Sequence, residues 1–194
     1  MNYNDTYFSH PTALVYGNVS IEENSSLWIN SVIRAENHSV EIGKYTNIQD
    51  FVMIHVGMRT PVRIGDYCSI THRVTIHGAT IGDNTLIGIG AIIMDGCQIG
   101  DNCIIGSGVC LKERTKIPSN SIVEGAFGEI IRPRNNYIMN KFNAYMYYQN
   151  AMAYTNGNHR RWEEEQLKQE GYNKLREYKE EFDSFFSHPK NIKF

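Results

Sequence analysis

Residues 81–105 read IGDNTLIGIGAIIMDGCQIGDNCII, with an isoleucine at every sixth position: Ile81, Ile87, Ile93, Ile99 and Ile105. A period of six matches neither the 3.6-residue turn of an α-helix nor the two-residue alternation of a hairpin sheet. It matches a parallel β-helix, in which each hexapeptide forms one side of a triangular coil and its aliphatic residue points inward. Working outward, the register runs back through Ile76, Ile70 and Ile64, with one step of five between Ile76 and Ile81, and forward through Leu111, Ile117 and Val123. Ile21, Leu27, Ile33, Ile42, Ile48 and Ile54 continue it upstream. Two excursions interrupt it, RAENHSV at 34–40 and VGMRTPVR at 56–63. Irregular loops on a rigid scaffold are where function tends to sit.

Glycine marks the limit of the repeats, since 14 of the 16 glycines lie between Gly17 and Gly128. Beyond Arg132, apolar residues recur at helical spacing, at Ile138, Phe142, Tyr145 and Met152 and then at Leu175, Tyr178, Phe182 and Phe185. The turn formers TNGN at 155–158 separate two expected helices. The expected organisation is an all-β parallel β-helix domain over 11–132 and a C-terminal helical extension over 133–190.

The chain has 194 residues, 41% hydrophobic and 21% charged, with a formal net charge of -2, which excludes the disordered class and lacks a nucleic-acid binder's positive excess. No apolar run reaches the roughly 18 residues that span a bilayer, and the first residues form no leader, so the expected setting is cytoplasmic, without membrane partners. The cysteines Cys68, Cys97, Cys103 and Cys110 form no CxxC pair and read as small buried residues rather than disulfides.

With the prism faces labelled A, B and C in chain order, Leu27, Ile48, Ile70 and Ile87 stack on B, and Ile33, Ile54, Ile76 and Ile93 on C. The position after each face-C aliphatic is a column of Arg34, His55, His77 and Met94. His55 and His77 are thus neighbours on successive coils, separated by about the ~5 Å strand spacing, and can share a metal ion. His72 belongs to face B near the next corner and does not easily reach them within its own chain. Three prisms packed corner to corner would bring face B of one against face C of the next. Three imidazoles with an open fourth position are then the arrangement of a catalytic zinc. Ferrous iron and cobalt suit the same donors.

The segments INSVIRAENHSVEIGKYTNIQDFVMIHV, SITHRVTIHGATIGDNTLIGIGAIIMDG and IPSNSIVEGAFGEIIRP resemble the γ-class carbonic anhydrases and their left-handed β-helix relatives, over about residues 11–132. The most specific parts are NIQD with a histidine five places on (Asp50, His55) and the pair His72 and His77 that ends in HG. The resemblance implies a left-handed coil and a homotrimer with zinc at the subunit interface, held by His55, His72 and His77. It places the family's active-site glutamine on Gln49, to hydrogen-bond the nucleophile, and its following aspartate on Asp50, in the same column as His72 and suited to an outer-shell or intersubunit role. Arg34 matches the arginine of an RGD segment that makes interface ion pairs. Here that segment is RAE, with Glu36 in place of the aspartate.

The archaeal enzymes of this class carry a proton-shuttling acidic loop after the first histidine, whereas VGMRTPVR holds no acid. The short loop and the tail segment KFNAYMYYQ resemble the subgroup from carnitine and phenylacetate-degradation operons. The leading expectation is a carbonic anhydrase-like metalloenzyme acting on a small molecule, with Glu36 and His38 as the nearby candidates for a replacement shuttle. The alternatives are an acyl-CoA thioesterase using the same nucleophile, a hexapeptide acyltransferase with a single histidine base, and a non-catalytic metal-locked trimer.

Overall fold

The computed structural model describes residues 2–4 and 6–186. Its body is a mostly parallel β-solenoid of about six turns, followed by two helices, α1 (Tyr137–Thr155) and α2 (Glu165–Phe186). Short strands form two sheets. A nine-stranded sheet makes face B, and a ten-stranded sheet makes faces C and A. The register is the one the period dictates: Leu27 pairs with Ile48, Ile48 with Ile70, and Ile87 with Ile70 and Ile105 on face B. On face C, Ile33 pairs with Ile54, Ile54 with Ile76, and Ile76 with Ile93. These side chains have no exposed surface, so the core is a stack of aliphatic layers that no single coil could bury alone.

Outside the two excursions, the corners turn through residues with positive φ. Asparagine or glycine often fills the position, as at Asn84, Asn102, Gly90 and Gly108. Tyr45, Tyr67, Phe51 and Arg73 adopt the same left-handed conformation, with Tyr45 stacked on Tyr67 at 4.9 Å between ring centres.

Strand pairing begins before residue 11. Tyr7–Ser9 lies parallel to Ser26–Leu27, and Asn2–Asn4 lies antiparallel to Tyr7–Ser9. The solenoid closes with an antiparallel pair, Ser121–Glu124 and Ile130–Pro133. Residues 187–190 of the expected helical extension lie outside the described residues.

α1 then climbs back along face B. Its solenoid side is small and polar along most of its length: Asn140, Ala144 and Ala151 are buried there, whereas Ile138, Phe142, Tyr145 and Met152 are only half-buried. The reason is that α1 lies between two layers. Asn140 Nδ2 donates to the backbone carbonyls of Asn84 and Cys103, both at 2.9 Å, and Asn143 Nδ2 donates to Ser69 Oγ at 2.8 Å. Toward α2, Phe142 lies against Gly171, and Lys141 forms an ion pair with Glu181 at 2.8 Å. At the upper end, Tyr147 and Tyr154 pack on Trp28, and Tyr154 also meets Phe8. In α2, Leu167 and Tyr178 are buried and Phe185 is exposed. The four cysteines are free thiols; burial pushes the Cys68 thiol up to about 12.

Candidate metal centre

Both excursions leave the solenoid at the corner between faces C and A. In the strand Val32–Ile42 the pairing steps from Gly17 with Ala35 to Asn18 with Ser39, which pushes Glu36, Asn37 and His38 outward. One coil further on, the chain departs after His55, which pairs with Arg34, and rejoins at Val62, which pairs with Val40. The loops touch: Asn37 Nδ2 donates to the carbonyl of Met58 at 3.3 Å, and His38 Nε2 lies 3.3 Å from the same oxygen.

His55 and His77 pair directly across the strands at this corner. Their ring centres are 5.1 Å apart, and His55 Nδ1 lies 3.1 Å from His77 Nε2. Two nitrogens bound to one tetrahedral zinc at ~2.0–2.1 Å are themselves roughly 3.3 Å apart. The observed gap is within a few tenths of that value, so this pair fits a shared metal ion.

Carboxylates surround the pair. Asp95 Oδ2 lies 2.8 Å from His77 Nδ1, and Glu36 Oε2 lies 3.1 Å from His55 Nε2. The other oxygen of Glu36 pairs with Arg34 at 2.9 Å, so the arginine and acid of RAE form an ion pair within the chain. A bond from its own backbone N–H, helped by His55 and Arg34 and opposed by desolvation, holds the Glu36 carboxyl below the usual carboxylate range.

His72 stands at the opposite end of face C, at the B/C corner, where its Nδ1 lies 3.0 Å from Asp50 Oδ2. The column shared by Asp50 and His72 is therefore a direct contact. It also makes His72 and His77 alike: a carboxylate engages Nδ1 of each, which leaves Nε2 as the nitrogen turned toward a metal. Metal-bound histidines are oriented in this way. Among the described residues of one chain, no three His, Cys, Asp or Glu side chains come together to hold a metal. The pair His55 and His77 is assembled within the chain, and His72 is kept apart from it.

Gln49 follows the buried face-B isoleucine Ile48 and is itself only 1% exposed. Its Nε2 donates to Asn47 Oδ1 at 2.9 Å, and Asn47 Nδ2 donates to Ser69 Oγ at 3.0 Å, the oxygen that also accepts from Asn143 of α1. A buried polar chain thus fixes the orientation of the glutamine from the helix side.

Sequence reasoning missed Asp95. It occupies the third place of the repeat IMDGCQ, as Asp83 and Asp101 do in IGDNTL and IGDNCI, but those two follow face-A isoleucines whereas Asp95 follows Ile93 of face C, one coil after His77. The signal that could have found it is that its column carries a glycine, Gly78, one coil before.

The fold and this register define a hexapeptide-repeat protein. The family model for bacterial transferase hexapeptide (six repeats) matches residues 78–113. Within that class, the chain resembles the γ-carbonic anhydrases. It is 46% identical over 81 residues to a Methanocaldococcus jannaschii protein named "Probable carbonic anhydrase", covering 42% of this chain and 51% of that one. It is 40% identical over 94 residues to Arabidopsis thaliana gamma carbonic anhydrase 1, mitochondrial, covering 45% and 34%. The chain thus spans about half or less of the length of these curated relatives. The crystal structure of a hexapeptide transferase family protein from Anaplasma phagocytophilum superposes with a TM-score of 0.66 at 25% identity, covering 76% of this chain and 92% of that one.

Proposed function

We propose that this chain forms a homotrimeric, zinc-dependent carbonic anhydrase-like enzyme that interconverts carbon dioxide and bicarbonate at its subunit interfaces. The observation that carries the reading is the paired arrangement of Asp95 with His77 and Asp50 with His72, next to a His55–His77 gap of 3.1 Å. His55 and His77 of one subunit and His72 of the next would hold the ion. When bound, zinc, or ferrous iron or cobalt on the same donors, supplies a Lewis acid that makes water nucleophilic near neutral pH.

The chain's own residues do the rest. Asp50 and Asp95, each engaging Nδ1, orient the rings of His72 and His77 so that Nε2 is the nitrogen offered to a metal. Gln49, its amide nitrogen committed to Asn47, presents its carbonyl oxygen as a fixed acceptor that orients the reacting water. Arg34 and Glu36 set the charge beside His55. With its pKa lowered, Glu36 is a weak proton acceptor at neutral pH, and the loop 56–63 contributes no acid, so proton export falls to the solvent.

An acyl-transfer or thioester reading has one specific observation in its favour. The Asp50–His72 pair is by itself a carboxylate-oriented imidazole, the arrangement of a general base. One experiment separates these readings: anaerobically purified protein of known metal content assayed against carbon dioxide and a panel of acyl-CoA thioesters. Metal-dependent hydration supports the proposal. Thioester turnover that persists in metal-free protein and vanishes in His72→Ala would replace it, and a metallated trimer inert toward both substrate classes would leave the binding role.

A further inference from the structure

The carboxylate of Asp95 is built into the corner differently from the aspartates that hold the same place in the face-A repeats. Asp66, Asp83 and Asp101 each use Oδ1 to accept a backbone N–H from the preceding coil, at 2.8, 2.9 and 2.9 Å from Lys44, Asp66 and Asp83. Their role is to join coils. Asp95 instead accepts from His77 Nδ1 at 2.8 Å through Oδ2 and from the Thr60 hydroxyl at 2.8 Å through Oδ1.

Two glycines make this possible. A Cβ on Gly78, the residue after His77, would lie 2.1 Å from Thr60 Oγ1 and 2.4 Å from Asp95 Oδ1. A Cβ on Gly57, two residues after His55, would lie 1.9 Å from Asp95 Oδ1 and 2.2 Å from Thr60 Oγ1. The glycines that follow the two histidines therefore form the walls of a notch that admits only the aspartate and the threonine. Thr60 is held there by its own carbonyl, which accepts the N–H of Gly57 at 2.9 Å, and Asp95 by its carbonyl, which accepts the N–H of Arg114 at 2.8 Å.

We propose that Asp95 is a positioning residue of the candidate centre, holding His77 as the Nδ1–H tautomer with the Nε2 lone pair turned toward His55, and that Thr60 of the short excursion locks Asp95 in that role. A carboxylate on Nδ1 selects the tautomer, because the ring nitrogen that donates to it must carry the proton. With its second oxygen occupied by the Thr60 hydroxyl, the carboxylate has one orientation left. The excursion 56–63, which lacks acids, thus acts through its threonine. The tautomer assignment stands on the contacts of the metal-free chain; its relevance to metal binding rests on the function proposed above.

The test compares wild type, Asp95→Ala, Asp95→Asn and Thr60→Val. The first readout is ¹⁵N NMR of the histidine rings in metal-free protein, and the second is zinc affinity by chelator competition. Wild-type His77 is expected to carry its proton on Nδ1. Asp95→Ala should lose that preference and weaken zinc binding by about 10–100-fold, the usual cost of removing a histidine's outer-shell carboxylate. Asp95→Asn keeps an acceptor oxygen and should retain the tautomer, whereas Thr60→Val should produce a smaller shift in the same direction as Asp95→Ala. If the tautomer follows Asp95 while no form binds zinc, the positioning assignment holds and the metal reading fails. A wild-type His77 protonated on Nε2, or a tautomer and zinc affinity unchanged across all four folded proteins, would overturn the assignment.

Discussion

Ligands divided two and one between corners of the prism make a quantitative prediction about mixed assemblies. Each proposed interface takes His55 and His77 from one subunit and His72 from the next, because His72 contacts Asp50 at the other end of face C. Trimers made only of His72→Ala chains lack the third ligand at every interface, and trimers made only of His55→Ala chains lack a first ligand at every interface. When the two are unfolded together in equal amounts and refolded, an interface is complete only where a His72→Ala chain supplies the pair and a His55→Ala neighbour supplies His72. In a cyclic trimer with random mixing this occurs at about one interface in four. Metal content and carbon dioxide hydration should therefore both return to about a quarter of the wild-type value per interface, whereas each variant alone stays near zero. Native mass spectrometry counts the mixed species, and metal analysis of the same sample reads the recovery. Mixed trimers in the expected proportions with no metal above the parent variants would refute the shared site.

Three further outcomes follow from the geometry. Gln49→Ala should lower hydration by about tenfold to a thousandfold with metal retained. It should also cost about 1–3 kcal/mol in urea denaturation, because the buried Asn47 Oδ1 loses its donor. Raising an imidazole-type buffer at fixed pH and ionic strength should raise kcat while kcat/KM stays constant, since the lowered pKa of Glu36 leaves proton release to bulk acceptors; a high rate independent of buffer would contradict this. Gly78→Ala and Gly90→Ala place the same residue at similar φ values of 58° and 68°, but the new Cβ meets Thr60 and Asp95 at Gly78 and nothing within 4 Å at Gly90. Both should lose about 1–2 kcal/mol of stability from the left-handed backbone, and only Gly78→Ala should also lose zinc affinity; equal affinities would remove the notch from the account.

The aliphatic columns were legible because a buried residue every six positions is the direct imprint of a three-sided coil, and pairings such as Ile48 with Ile70 reproduce it residue by residue. The stacking of His55 on His77 and the contact of Asp50 with His72 were legible for the same reason, since a side chain's column is set by its offset from an aliphatic residue. Three features were not. Asp95 shares its place in the hexapeptide with face-A aspartates that only join coils, and its partner Thr60 comes from a loop that has no register. The left-handed corners at Tyr45, Phe51 and Arg73 carry side chains that local preference would not place there, and the neighbouring coils fix the turn in their stead. On α1, hydropathy pointed to Ile138 and Phe142, yet the face against the solenoid is Asn140, Ala144 and Ala151, with Tyr147 and Tyr154 at its upper end. A helix seated closely on a sheet uses short side chains, and its amide side chain reaches coil carbonyls.

The return path of α1 also changes how the molecule comes apart. In a bare solenoid each coil touches only its neighbours, so the ends fray and unfolding spreads one repeat at a time. Here Asn140 is bonded to the coils of Asn84 and Cys103 while Tyr154, on the same helix, packs against Phe8 and Trp28 near the first coil. The first coil cannot open without releasing the helix, and the helix cannot leave without exposing carbonyls several coils away. A ladder of separable rungs becomes one cooperative unit, with chain segments more than a hundred residues apart meeting before the structure is complete. Contacts of such sequence separation slow folding, and here they also guard the end of the coil against fraying.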